Sequence, residues 1–170
     1  DASIWTPKQS INGRKVMAIL AIWTDKAANE PDEEEKPVST QKIVCLDPGH
    51  GATCANGSPD GTYKEHEFAL DVANRIKAIL QRHGVKVVMT RTDGTDVSLT
   101  ERAKISNDAK ADLFLSIHSN AAGSGWSTAA GWEGFVVAKG YTAEKFAENI
   151  RKVTIPATAA PDRGVKEAGY

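Results

Sequence analysis

Unbroken apolar runs and apolar residues spaced three and four apart alternate along this chain. Ile43-Val44-Cys45-Leu46 reads as a buried strand that Asp47-Pro48-Gly49-His50-Gly51 breaks abruptly. Residues 51–63 hold Gly51, Asn56-Gly57, Ser58-Pro59 and Asp60-Gly61, the composition of a loop. From Glu65 the positions Phe68, Val72, Ile76, Ile79 and Leu80, with Ala69 and Ala73 beside them, predict a helix to about His83, with Gly84 as its stop. Val85 to Thr90 is the next strand, and the strand–helix–strand order implies a right-handed parallel crossover. Ser98-Leu99-Thr100-Glu101 has the spacing of a capping box and opens a second helix, whose apolar face is Leu99, Ala103, Ile105, Ser106 and Ala109. Leu113 to Ile117 is a strand ending in His118-Ser119-Asn120, and Trp132 to Val137 is another. Thr142 is read as the cap of a helix through Lys152, with Phe146, Ile150 and Val153 inward and Ile155-Pro156 as its end. No element is assigned to Asp162–Tyr170. This alternation predicts an α/β fold: a mostly parallel twisted sheet with helices on both faces, and a ligand crevice at the carboxyl ends of its strands.

The first forty residues follow a different rule. Residues 1–30 carry no motif and read as an N-terminal extension or the remnant of a preceding module, with Ile11 to Trp23 as one long strand. The apolar run Val16 to Trp23 is far short of the ~20 residues a membrane span needs. Residues 31–40, acidic and holding Pro31 and Pro37, are expected to be a solvated linker, so the main domain spans 41–170. A chain that opens on Asp1 and not on Met is expected to be processed or a fragment. At 170 residues, 41% of them hydrophobic, there is material for one domain with an extension. Acidic and basic residues number 22 and 21, which argues against a nucleic acid or a membrane surface as the main partner. The two cysteines, Cys45 and Cys54, are too few for a disulfide scaffold and are expected to be independent free thiols, although a bridge between them is sterically conceivable.

Candidate chemistry gathers at the predicted strand ends. Two strands each deliver an imidazole, His50 and His118, to one edge, and Glu65 opens the helix between them. Two histidines and a carboxylate are a set that zinc uses at catalytic sites, with a fourth position left to water. Successive helix residues turn by about 100°, so only one of Glu65, His66 and Glu67 can comfortably face the edge, and the core side set by Phe68 and Val72 does not choose among them. Cys54 is a competing soft ligand. Asp47 stands either as a carboxylate orienting the His50 ring or as a cap on the glycine-rich loop. His83 lies at a helix end, where it favours the dipole. Trp126, in the Gly/Ala/Ser loop 121–131, and Trp132 are candidates to line a substrate groove, with core packing an equal alternative for Trp132.

Asp47-Pro48-Gly49-His50-Gly51, Glu65-His66-Glu67-Phe68-Ala69-Leu70, Val88-Met89-Thr90-Arg91, Ser98-Leu99-Thr100-Glu101-Arg102, Ser116-Ile117-His118-Ser119-Asn120-Ala121 and Arg163-Gly164-Val165-Lys166, in that order, resemble the zinc-dependent N-acetylmuramoyl-L-alanine amidases of bacterial cell-wall hydrolysis and phage lysins. The resemblance covers about residues 42–170. It implies a zinc ion held by His50, Glu65 and His118, which chooses Glu65 over its neighbours, and a peptidoglycan hydrolase cutting the amide between N-acetylmuramic acid and L-alanine. The alternative is a catalytically impaired cell-wall binding or regulatory module that keeps the zinc site. A secreted or envelope-bound monomer, or a phage lysin acting on the wall, is the expected setting, with no nucleic acid partner and no membrane span. The family's acid/base glutamate stands in a further segment after the Arg-Gly-Val-Lys motif, so domain 41–170 is expected to lack its final strand and helix and the catalytic carboxylate to lie beyond Tyr170. Glu133 and Glu167 are the carboxylates remaining on that side.

Overall fold

The computed structural model describes residues 18–23, 41–120 and 125–168. In chain order the elements are β1 (Ala18–Trp23), β2 (Ile43–Pro48), α1 (Glu65–Arg82), β3 (Lys86–Met89), α2 (Leu99–Asp108), β4 (Leu113–Ser119), β5 (Trp132–Val136), α3 (Thr142–Thr158) and β6 (Asp162–Glu167). The described strands form one sheet in the order β3-β2-β4-β1-β5-β6. Strands β3, β2 and β4 run parallel to one another, as do β1, β5 and β6. The two groups meet at the antiparallel pair β1 and β4. The carboxyl ends of β2 and β4 therefore share an edge with the amino ends of β5 and β6.

Alternate strand residues sort the helices by face. Val44, Leu46, Leu113, Leu115 and Ile117 join Ala69 and Ala73 of α1 and Ala143 and Ala147 of α3 in one core cluster, so α1 and α3 lie on the same side. Cys45 points the other way and its thiol hydrogen-bonds Ser106 of α2, which places α2 on the opposite side. The expected α/β architecture with helices on both faces is present. Small residues on α1 and α3 let the helices sit close to the β-branched and leucine side chains of the sheet, burying apolar surface at roughly 25 cal/mol per Å².

Helix α1 ends where its sequence says it should: His83 caps it and Gly84 takes φ 77°, a left-handed turn open to glycine. Ser98 caps α2 by accepting from the Glu101 amide at 3.2 Å. Helix α3 departs from expectation. It has no side-chain cap at its start, where Tyr141 stands at the cap position, and it continues through Pro156 to Thr158. Proline at that point forfeits one amide donor in the last two turns, and the helix closes beyond it with Ala159 N–H donating to the Ile155 carbonyl at 2.9 Å. The unassigned tail forms β6, paired to β5 through an irregular register around Gly134 and Val165. Within the residues assigned to an N-terminal extension, Ala18–Trp23 form β1, and the rest of 1–30, like the linker 31–40, lies outside the described residues. Positions 121–124 of the Trp126 loop do too.

Candidate metal centre

Three side chains from three elements converge at the shared edge: His50 after β2, Glu65 at the first position of α1 and His118 near the end of β4. His50 Nε2 and His118 Nδ1 stand 3.1 Å apart, and Glu65 Oε1 is 3.3 Å from the first and 3.1 Å from the second. The rings meet edge to face at 87°. Two imidazole nitrogens and one carboxylate oxygen in a triangle of this size match the edges of a tetrahedron around zinc, where bonds of about 2.0–2.1 Å put neighbouring ligands roughly 3.3–3.4 Å apart. One vertex of such a tetrahedron remains, and the His50 and His118 side chains keep 22% and 30% of their exposure. Burial holds the His50 imidazole below its ordinary pKa, the nearby Glu65 carboxylate opposing, so the neutral form that a metal requires is favoured. By donor set and spacing, the residues fit the ion that the family resemblance implies.

The arrangement is built into the backbone. His50 adopts φ 57°, a left-handed conformation that costs a non-glycine residue about 1–3 kcal/mol and persists only where its surroundings dictate it. Two buried arginines supply that constraint. Arg102 donates from Nη1 to the Pro48 carbonyl at 2.8 Å and from Nη2 to that of His50 at 3.0 Å. Arg91 donates from Nε to Pro48 O at 2.9 Å and from Nη2 to Gly49 O and His66 O, each at 2.8 Å. Gly49 must be glycine because a Cβ there would stand 2.3 Å from His118 Cε1. Glu65 is aimed by the Ser119 amide, which donates to its Oε1 at 2.8 Å, and Tyr63 braces Ser119 through a 2.5 Å hydroxyl pair.

The structure also sorts the rivals. Glu65 faces the histidines, Glu67 is exposed beside Lys64, and His66 is buried with no hydrogen bond to its Nδ1 among the described residues. Among the described residues Asp47 makes no hydrogen bond to the His50 ring or to loop 51–63. Buried between strands, it accepts from Thr90 Oγ1, Arg102 Nη1 and Ser116 Oγ, each at 2.6 Å. Cys54 is an exposed free thiol outside the triad, and Cys45 is a buried free thiol. Trp132 is 3% exposed and belongs to the core, whereas Trp126 is 45% exposed.

Neither spare glutamate stands at the triad. Glu133 shares a cross-strand row with His118, two strands and thus roughly 9.5 Å away. It is buried and bound by Arg163 at 2.9 Å and by Lys166. Glu167 ends β6 at the opposite edge of the sheet, where it accepts from the Lys139 amide. The roles of Arg91, Arg102 and Ser119 were missed from spacing alone. All three lie inside the matched motifs, but nothing in a linear sequence says that an arginine will spend its donors on main-chain carbonyls.

Residues 44–170 match the family model described as N-acetylmuramoyl-L-alanine amidase. The chain belongs to that amidase family. LytC of Bacillus subtilis, an N-acetylmuramoyl-L-alanine amidase, is 35% identical over 131 residues, 76% of this chain and 26% of LytC. AmiA of Salmonella typhimurium, another amidase, is 35% identical over 85 residues, half of this chain and 29% of AmiA. The chain thus spans under a third of the length of these curated relatives. Among solved structures, the catalytic domain of CwlV from Bacillus (Paenibacillus) polymyxa var. colistinus superposes with a TM-score of 0.69 at 32% identity, covering 76% of this chain and 72% of that one. The amidase of Clostridium difficile 630 gives 0.70 at 29%, covering 78% and 72%. Of the motifs quoted above, those around His50, Glu65, Arg91, Arg102 and His118 supply the triad and the arginines that hold the His50 turn.

Proposed function

We propose that the chain is a zinc-dependent peptidoglycan hydrolase that cuts the amide joining N-acetylmuramic acid to the L-alanine of the stem peptide, working as a monomer in the cell envelope or outside the cell. The observation that carries this reading is the triangle of His50 Nε2, Glu65 Oε1 and His118 Nδ1, placed at a solvent-facing edge in a chain of this family. These three residues would hold the ion. When bound, zinc supplies Lewis acidity that polarises the scissile carbonyl and makes water nucleophilic near neutral pH. The protein's part is orientation. Glu65 is fixed by the Ser119 amide, and His50 by the carbonyl contacts of Arg91 and Arg102, so the donors are in place before substrate arrives.

No described helix is long and apolar enough to cross a membrane. No observation favours the alternative of a non-catalytic wall-binding module. The test uses purified cell walls with the zinc-loaded chain, with and without chelator. New L-alanine amino termini on intact stem peptides, seen by mass spectrometry and abolished by chelator, are the expected outcome. Wall binding without released amino termini would overturn the enzymatic reading, and termini within the stem would move the cut to a peptide bond.

A further inference from the structure

Arg163-Gly164-Val165-Lys166 is a matched motif that the triad and its arginine clamps leave unused, and its two cations converge on Glu133. Arg163 Nε stands 2.9 Å from Glu133 Oε1, and Lys166 Nζ donates to Oε2. Glu133 is buried, whereas the Arg163 and Lys166 side chains keep 39% and 41% of their exposure. We propose that this cluster is a carboxylate-binding subsite of the amidase, taking the free α-carboxyl of the stem-peptide residue that follows L-alanine.

The backbone of β6 is shaped to make the cluster. Between the pairs Trp132–Asp162 and Gly134–Val165, β5 advances two residues and β6 three, a bulge with Gly164 at φ 78°. In a regular strand residues three apart point to opposite faces, and the extra residue is what brings Arg163 and Lys166 to the same carboxylate. One buried anion against two cations leaves an excess of positive charge. The other acids of β6 are held elsewhere, Asp162 by Arg151 at 2.6 Å and Glu167 by the Lys139 amide at 2.7 Å. Among the described residues neither Nη of Arg163 has a partner. A guanidinium anchored at Nε keeps its Nη edge as a fork that fits a second carboxylate. The position suits a peptide leaving the triad. Ile19 pairs with both His118 and Glu133, which sets the cluster level with His118, two strand spacings or roughly 9.5 Å away. The arginine stem crosses Gly131, where a Cβ would stand 2.8 Å from Arg163 Cδ, at the end of the loop that carries exposed Trp126. Extended peptide covers about 3.3–3.6 Å per residue, so a stem held by its first amide at the triad carries its second residue's carboxyl roughly 7 Å farther on, to the range of these cations.

The inference rests on the hydrolase reading above, and binding to the metal-free chain tests it apart from turnover. The probes are N-acetylmuramoyl-L-alanyl-D-glutamic acid and its α-amide, N-acetylmuramoyl-L-alanyl-D-isoglutamine, titrated into the chain and followed by amide NMR shifts. The wild type is expected to bind the acid about tenfold more tightly than the amide, the margin of a charge-assisted over a neutral hydrogen-bonded contact. That margin should shrink as salt rises. Arg163→Gln is expected to bring the acid-to-amide ratio to about 1, because the fork is lost, and Lys166→Gln to lower it part-way. With zinc present, the same tenfold or so is expected in kcat/KM for the two compounds. Equal wild-type values for acid and amide would overturn the subsite whatever the variants do, and cleavage of both at equal rates would leave the hydrolase reading standing without it. An acid preference that survives in both variants would also overturn it. A chain that neither binds nor, with zinc, cuts either compound would instead sink the hydrolase reading, and this inference with it.

Discussion

Asp47 shows how a single side chain can matter to the site without touching it. Its carboxylate is the buried anion facing Arg102, and Arg102 in turn holds the Pro48 and His50 carbonyls in the strained turn. Asp47→Ala leaves that guanidinium buried and uncompensated, so urea denaturation is expected to show a loss of about 3–5 kcal/mol, as for other broken buried pairs. A smaller effect would mean that the main-chain carbonyls alone satisfy Arg102. Cys45, fully buried, has its thiol pushed by burial from its ordinary 9.0 up to about 11, a side-chain hydrogen bond with Ser106 opposing. Between pH 9 and 11 the folded chain keeps a proton that the unfolded chain has released, so this group's contribution to stability is intact below 9 and falls as pH rises through that window. Cys45→Ala lacks that fall, and its stability is expected to gain on wild type as pH climbs from 9 towards 11, read from paired denaturation curves. At neutral pH a thiol reagent should label exposed Cys54 quickly and Cys45 only on unfolding.

Helices were legible where period and punctuation agreed. Phe68, Val72, Ile76 and Leu80 with Gly84 mark α1 because side chains three and four apart share a face and only the terminal turn asks for a left-handed residue. Ser98 was equally plain, since one hydroxyl answers one orphan amide, and Ser98→Ala is expected to cost about 1 kcal/mol by chemical denaturation while leaving zinc uptake unchanged. The end of α3 lies beyond its expected proline stop because a proline in the last turns removes one amide donor, and the helix passes through Pro156 for one more short stretch. Strand β6 leaves no local signal for a different reason. Asp162-Arg163-Gly164-Val165-Lys166-Glu167 is polar, and it pairs with β5 around a register shift, so no period-two signal survives in the sequence.

For the molecule as a whole, metal and fold are expected to be linked. The three triad residues come from segments 15 and 53 residues apart in the chain, so zinc that bound only the folded arrangement would stabilise it. At free zinc about 100 times the dissociation constant the gain is about 2.7 kcal/mol, and the melting midpoint should rise on zinc addition, return with chelator and stay put in His118→Ala. A midpoint indifferent to zinc would mean that the triad does not bind it. The order of elements from β2 to α3, the strand-end placement of His50 and His118, and the α/β class were readable from local patterning, because hydrophobic period, turn residues and caps act over a few positions. What the linear order could not decide was the choice of Glu65 over His66 and Glu67 on geometry alone, the place of Ala18–Trp23 between β4 and β5, and the clamping of the His50 turn by Arg91 and Arg102. Each depends on which distant groups end up adjacent, and that adjacency exists only once the sheet has closed and brought Ser119, the turn and the two guanidiniums within hydrogen-bonding reach.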